Sequence, residues 1–447
     1  MGSETSARLD PDLGASTREP GVRTGRPPGT DEEARLTIGY VSPGWPVESF
    51  ANGVVTSLVH VTSEMRRLGH RALTLPQAMV GSSSDDGDIC PIVWEAAERS
   101  PLRRIYRRLL DLVPAEDRYS KQFCRCLAST TRRLVAQRGL QLLEMEEAFG
   151  WPSWVRKAVP IPIIVRLHGP WFLNGPLQDE YDGGPAYQRR VQAEGEGIRS
   201  ADGLTAPSLD VLERTRAYYN MPLEDAVVIP NPAPRVPVEA RWRREEADPD
   251  LILFVGRFDR HKGGDLIIDA FAEVGRRNPR AKLRFAGVDK GFVDDDGRRR
   301  QIEEYIREKM PDASASGRVE WVGRQPPEEV AKFRRQAGVT VCCSRYETFG
   351  YTTIEAMAFG SPLVAAGSGA ILELIDDGTN GLICQTGEAE DLAEKICQLQ
   401  LDGDLAARLG QRAALDCESK YDPGRQAEEM AEFYRRTIES YSSGRRR

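Results

Sequence analysis

LILFVGRFDRHKGGD (251–265) opens with an unbroken apolar run, passes through Gly256-Arg257 and closes on Gly263-Gly264. An apolar run without polar alternation suits a strand buried on both faces, as in a parallel sheet covered by helices. The stretch that follows, at about 264–276, has its apolar residues at helical spacing. Strand, glycine-bearing loop and helix make half of a βαβ unit. Ligands of such sheets sit beyond the carboxyl ends of the strands, so chemistry is expected in the loop 256–264. Arg257 and Lys262 lie in it, beside glycines that let backbone approach a ligand. Two cations in that setting suit a diphosphate or other dianion, Arg as a fork and Lys as a point charge. The plainer alternative is a turn carrying solvated charges.

The same alternation extends in both directions. Downstream, KLRFAG (282–287), RVEWVG (318–323), GVTVCCS (338–344) and PLVAA (362–366) read as strands. Helical patterns at about 298–309, 327–336, 351–359 and 388–400 separate or follow them. Upstream, LTIGYVS (36–42), LQLLEME (140–146), PIIVRLH (162–168) and AVVIPN (226–231) repeat the strand character, and a helix-like stretch covers 52–68. A charged, Pro-rich bridge, PAPRVPVEARWRREEADPD (232–250), divides the two series. The predicted organisation is a disordered tail over 1–34, an N-terminal Rossmann-like domain over 35–232, a linker over 233–250 and a C-terminal Rossmann-like domain over 251–423. A helix over 424–440, expected to pack back on the N-terminal domain, and a tail over 441–447 complete it. A chain of 447 residues is too long for one ordinary core, which agrees with two domains.

Composition narrows the function. Hydrophobic residues make up 40% and charged residues 29%, and no apolar run approaches the ~20 residues that cross a bilayer. The first 34 residues hold no apolar signal core, so a cytoplasmic protein is expected. A net charge of −7 gives no general attraction to nucleic acid. The eight Cys show no zinc spacing, and the four His (His60, His70, His168, His261) are too few for a metal site built on histidine. No metal and no other cofactor are expected.

A second constellation is YETFGYTTIEAMAFG (346–360), where a predicted strand ending at Cys343 leads through Ser344-Arg345-Tyr346-Glu347 to a helix beginning near Tyr351. The free N–H groups of that helix start, at Gly350, Tyr351 and Thr352, suit a phosphate, and Gly350 removes a side chain where it would come closest. Glu347 precedes the helix and is expected to face a sugar. Glu355, one turn in, is placed to accept from a ribose diol. Thr352-Thr353-Ile354-Glu355 also fits a capping box, which would occupy Glu355 structurally.

GRFDRHKGG followed some eighty residues later by E-x7-E, as ETFGYTTIE, resembles the retaining family-4 glycosyltransferases. VIPNP (228–232) and SPLVAAGSGAILELIDDGTNGLI (361–383) resemble further parts of that family, and the resemblance covers about residues 36–440. It implies the GT-B fold, two facing Rossmann-like doubly wound parallel-sheet domains with an interdomain cleft. It also implies metal-independent transfer of a sugar from a nucleotide-diphosphate sugar to a hydroxyl acceptor, with retention. By this resemblance Arg257 and Lys262 hold the leaving diphosphate and Glu347 the transferred sugar. Phe349, Gly350, Tyr351 and Thr352 meet sugar and phosphate, Glu355 the ribose, and Gly323-Arg324 the neighbourhood of the base. Asn52-Gly53 stands where the family commonly has a glycine pair, and His168 in VRLHGP matches its active-site histidine. Asn52 in place of glycine and GSGA (367–370) in place of a Gly-Gly form are departures, the second leaving the role of Glu373 open.

Other features have plainer readings. His168 alone would pass for a hydrogen-bonded structural histidine, and His261 for a loop residue beside Lys262. Asp294-Asp295-Asp296 and Asp86-x-Asp88 sit in polar loops and read as solvated turns, against a metal-dependent GT-A enzyme. PLRRIYRRLLDLVP (101–114) is a candidate for peripheral contact with an anionic inner-membrane surface, set against an ordinary surface helix. Glu144, Glu146 and Glu147 end a strand and are expected to face the cleft, with acceptor hydroxyls within their reach. A GT-B-like nucleotide-sugar epimerase or hydrolase, or a non-catalytic nucleotide-sugar binding protein, stands as the alternative.

Overall fold

The computed structural model describes residues 35–50, 53–81, 87–94, 115–179, 181–312 and 317–444. The two terminal tails, up to residue 34 and beyond residue 444, Asn52, Asp86 and the basic stretch 101–114 lie outside the described residues. Two six-stranded sheets organise the chain. The first has the order β2-β1-β3-β4-β5-β6, from β1 (Thr37–Ser42), β2 (Arg71–Pro76), β3 (Leu142–Glu146), β4 (Ile163–Arg166), β5 (Gly203–Ala206) and β6 (Val227–Val228). All its pairings are parallel, with Gly39 of β1 opposite Leu73 of β2 and Leu143 of β3.

In the second half, β7 (Asp248–Val255) and β8 (Lys282–Ala286) come first, and a short antiparallel pair, β9 (Phe292–Val293) and β10 (Arg299–Arg300), stands apart. With β11 (Val319–Gly323), β12 (Ala337–Cys342), β13 (Leu363–Ala366) and β14 (Leu382–Cys384), the sheet order is β11-β8-β7-β12-β13-β14, again all parallel. Every residue of β12 is buried, as a central strand covered by helices on both faces requires. The order reverses between β7 and β12, so the loops leaving these two strands splay to opposite faces and open a crevice. Those loops are 256–263 and 343–350.

The expected doubly wound parallel sheets are present in both halves. Several elements differ from the sequence reading. β7 begins at Asp248, inside the stretch taken for linker, and the stretch read as helix from 298 begins at Ile302 because Arg299–Arg300 forms β10. The helix Gly403–Lys420 was not predicted; it packs on the Tyr351–Ala358 helix through Ala413 and Cys417 against Ile354 and Met357. Its small apolar residues, Ala406, Gly410, Ala413 and Ala414, give a weak apolar stripe.

The final helix, Pro423–Gly444, leaves the second half and lies on the first sheet. Met430, Ala431, Phe433 and Tyr434 share a core with Ile38, Tyr40, Leu58 and Ile164. The chain therefore passes between the halves twice, and the two passages touch. Ala233 N–H donates to Tyr421 O at 3.0 Å, and Arg235 reaches Asp422 at 3.1 Å and Glu64 at 3.2 Å.

Candidate functional site

A cavity of about 740 Å³ lies between the halves, beyond the carboxyl ends of the strands. That volume is in the range of small-molecule sites. Arg257, Lys262, Glu347, Phe349, Gly350, Tyr351, Thr352 and Glu355 line it from the second half, and Gly53 and His168 from the first. Arg324 lines it too, whereas Gly323, at the end of β11, does not.

The two loops leaving β7 and β12 are locked together. Asp259 accepts from Arg257 Nε at 2.5 Å and from the Lys262 N–H at 2.7 Å, which folds the first loop back on itself. Gly263 has φ +73°, and a Cβ there would lie 2.2 Å from Cys343 O, so the loop presses on the end of the central strand. Only glycine meets both conditions. From this loop Lys262 Nζ reaches Glu347 Oε1 at 2.5 Å, and Ser344 Oγ donates to the same oxygen at 2.6 Å. Burial alone would raise the Glu347 carboxyl, but Lys262, Ser344 and His261 outweigh it and hold it below the usual carboxylate range.

Beyond Glu347 the chain turns at Gly350, φ +89°, which is the N-cap of the Tyr351–Ala358 helix. A Cβ on Gly350 would sit 2.8 Å from Ile371 Cδ1. The first N–H groups of a helix have no partner within it and favour an anion, and here Gly350, Tyr351 and Thr352 all face the cavity wall.

The capping-box reading of Glu355 is overturned. The N-cap is Gly350, with no side-chain cap, so Thr352 lies inside the helix. Glu355 Oε2 instead pairs with Arg334 Nη2 at 2.7 Å, and the Arg334 side chain is only 1% exposed. Arg334 was missed by sequence reasoning. No sequence signal marks it, since Arg334-Arg335-Gln336 at a helix end reads as solvated charge.

Arg324 is engaged differently from expectation. Its guanidinium donates to the backbone carbonyls of Val47, Glu48 and Ser49, with 3.2 Å to Ser49 O, and so ties the second half to a loop of the first. Glu373, whose role was open, crosses in the same sense. Its carboxylate accepts from the N–H groups of Leu209 and Asp210 at 3.0 and 2.7 Å, capping a helix of the other half. Tyr346 OH donates to Asp210 at 2.8 Å beside it. On the cleft's inner side the His60 and Tyr351 rings stack with centroids 6.4 Å apart at 12°.

His168 follows β4 at the floor of the cleft. Desolvation, reinforced by the Arg166 cation, pushes its imidazole down to about 3, so it is neutral at pH 7. Glu147 accepts from the His168 and Gly169 N–H groups at 3.0 and 2.8 Å. Burial, then Glu194 and Glu146, push the Glu147 carboxyl up to about 8 against the pull of its own backbone N–H and that of His168. The strand-end carboxylates thus do not all face the cleft. Glu144 is buried and accepts from Tyr434 OH at 2.6 Å, under the final helix, and Glu147 is spent on backbone. Arg166, also buried, donates to Ile229 O at 2.8 Å and Asn231 Oδ1 at 2.7 Å.

The His168 environment carries a pH prediction. The unfolded imidazole binds a proton near pH 6.5 and the folded one only near 3, so the unfolded state holds more protons in between. Compared with His168→Asn, the wild type is expected to lose about 2 kcal/mol of stability between pH 7.5 and 5. Urea midpoints of both proteins at the two pH values check this; equal shifts would refute it.

Among the described residues no group of three His, Cys, Asp or Glu is placed to hold a metal ion. Asp294 is instead tied to Arg300 at 2.6 Å. Among the described residues, too, no helix is long and apolar enough to cross a membrane.

Residues 238–416 match the family model of glycosyl transferases group 1, and residues 51–234 that of glycosyltransferase family 4. The chain belongs to this family of GT-B glycosyltransferases. The D-inositol 3-phosphate glycosyltransferase of Nocardia farcinica is 28% identical over 272 residues, 59% of this chain and 58% of the relative. The mannosylfructose-phosphate synthase of Agrobacterium fabrum is 33% identical over 142 residues, 32% of this chain and 31% of the relative. The chain spans about half the length of the curated relatives it matches. Sucrose-phosphate synthase from Thermosynechococcus elongatus superposes with a TM-score of 0.66 at 19% identity, over 91% of this chain and 100% of that one. Anabaena Alr3699/HepE, solved with UDP and glucose, gives 0.62 at 17%, over 89% and 99%. At these identities the two structures bear on fold alone.

Proposed function

We propose that the protein transfers a sugar from a nucleotide-diphosphate donor to a hydroxyl acceptor, with retention of anomeric configuration and without a metal. The observation that carries this reading is the Lys262–Glu347 contact beside the Gly350 helix start, with Arg257 on the adjoining loop. A fixed carboxylate and two cations within one cavity separate a sugar's hydroxyls from a diphosphate's charge. In the reaction the anomeric C–O bond to the diphosphate breaks and a C–O bond to the acceptor oxygen forms. The acceptor's proton passes to the leaving phosphate oxygen, and the nucleoside diphosphate departs. We assign Arg257, Lys262 and the helix N-terminus to the charge that develops on the leaving group, the preorganised electrostatic role that a metal fills elsewhere.

Retention rests on the family resemblance. Glu347 is held by Lys262 and Ser344, and we assign it to the sugar's hydroxyls instead of covalent attack. Neutral His168 is assigned to the sugar from the opposite wall. The acceptor is a hydroxyl compound; the names of the related D-inositol 3-phosphate glycosyltransferase and mannosylfructose-phosphate synthase make phosphorylated polyols and sugars the first to try.

The test is a thermal-shift panel of UDP-, GDP-, ADP- and dTDP-sugars, followed by nucleotide release with and without acceptors. UDP-glucose leads the panel because Alr3699/HepE was solved with UDP and glucose. A shift with one donor and acceptor-dependent release of its nucleoside diphosphate are expected. Release independent of acceptor would indicate a hydrolase, and no shift with any donor would remove the assignment.

A further inference from the structure

The backbone of His168 is gripped from both halves of the molecule. From its own half, Glu147 accepts from the N–H groups of His168 and Gly169. From the other half, Thr348 Oγ1 donates to His168 O at 2.9 Å. Thr348 stands between Glu347 and Phe349, in the turn that leads to Gly350. Its own carbonyl accepts from Ser208 Oγ at 2.7 Å, and that hydroxyl also accepts from Val211 N–H as the N-cap of the Leu209–Tyr219 helix. The contact is close-fitting as well as polar, since a Cβ on Gly169 would meet Thr348 Cγ2 at 3.3 Å. The loop is anchored on its own side by Ala370 N–H donating to Glu347 O at 2.9 Å.

Two working parts thereby meet at one hydroxyl. Other contacts hold the halves together around it, but among the described residues the Thr348 hydroxyl is the one that links the loop of Glu347, on the sugar side of the donor site, to the His168 backbone across the cleft. We propose that Thr348 is a positioning residue that couples closure of the two halves to the placement of His168, with Ser208 seating its backbone. This rests on the sugar-transfer reading given above. A separated cleft leaves the His168 carbonyl without this partner, so the histidine is set when the halves meet. Misplacement of a reacting group by a fraction of an ångström is costly to rate while leaving ground-state nucleotide contacts untouched.

Thr348→Val keeps the shape and removes the O–H; Thr348→Ser keeps the O–H. With saturating donor, Thr348→Val is expected to lose about tenfold in kcat, with nucleoside-diphosphate affinity by calorimetry within about twofold of wild type. Amide hydrogen exchange over 168–171 should quicken in the same variant, and Thr348→Ser should restore both. A lowered melting temperature with weakened nucleotide binding and no rescue by serine would mark a merely structural role and overturn the coupling. So would unchanged exchange over 168–171, whether or not the protein turns over a donor. Failure of the wild type to turn over any donor, by contrast, would count against the sugar-transfer reading, and the exchange experiment still decides the coupling.

Discussion

Lys262→Met is expected to lower turnover by about 10²–10³-fold, the cost of removing one preorganised donor from a developing anion. Two effects combine at this position. The leaving diphosphate loses a point charge, and Glu347, 8% exposed, keeps only Ser344 as a partner of its bonded oxygen. A buried carboxylate without its cation takes up a proton more readily, so the sugar-side acceptor is damaged along with the phosphate site. Lys262→Arg should not restore the rate, because a planar fork cannot replace a compact ammonium at 2.5 Å from one carboxylate oxygen. Steady-state nucleotide release for the variants measures the effect, and nucleoside-diphosphate calorimetry separates binding from chemistry. Full turnover by Lys262→Met would remove Lys262 and Glu347 from the site together.

The second large effect is on stability. Arg334→Met should destabilise the protein by about 3 kcal/mol, at the low end for breaking a buried ion pair, because Glu355 is partly open to solvent. The cost lies in the carboxylate left behind. Adding Glu355→Gln should therefore recover much of the loss, and a double-mutant cycle on urea midpoints would show a coupling of about 1–3 kcal/mol. Additive losses would mean that the pair does not act as a unit. Glu355→Gln alone should also weaken donor binding, whereas Arg334→Met should do so only to the extent that Glu355 swings free.

These two experiments fall on opposite sides of what the sequence discloses. That Arg257, Lys262 and Glu347 would meet at one cavity was legible because each sits in a loop that leaves a strand end, where the apolar run stops and glycines begin. The order of strands within each sheet was not, since periodicity marks an element without naming its neighbour. Arg334 was hidden for a related reason. RRQ at a helix end looks like solvated charge, and only the position of Glu355 across the packing interface shows that one of the two arginines turns inward. The Thr352–Glu355 capping pattern misled because its local geometry is sound; Gly350, free to adopt a positive φ, ended the turn two residues earlier. Glu144 was read as facing the cleft because the covering helix, Pro423–Gly444, arrives from the far end of the chain.

That arrival has a consequence for how the molecule can deform. The outgoing passage near Ala233 and the returning one near Tyr421 are bonded side by side, as two cords running down the spine of a book. Paired cords leave opening and shutting about the spine free and oppose one cover twisting over the other. A protease that nicked either cord alone would leave the covers bound, so a once-cut chain should still elute as a single particle and separate only on unfolding.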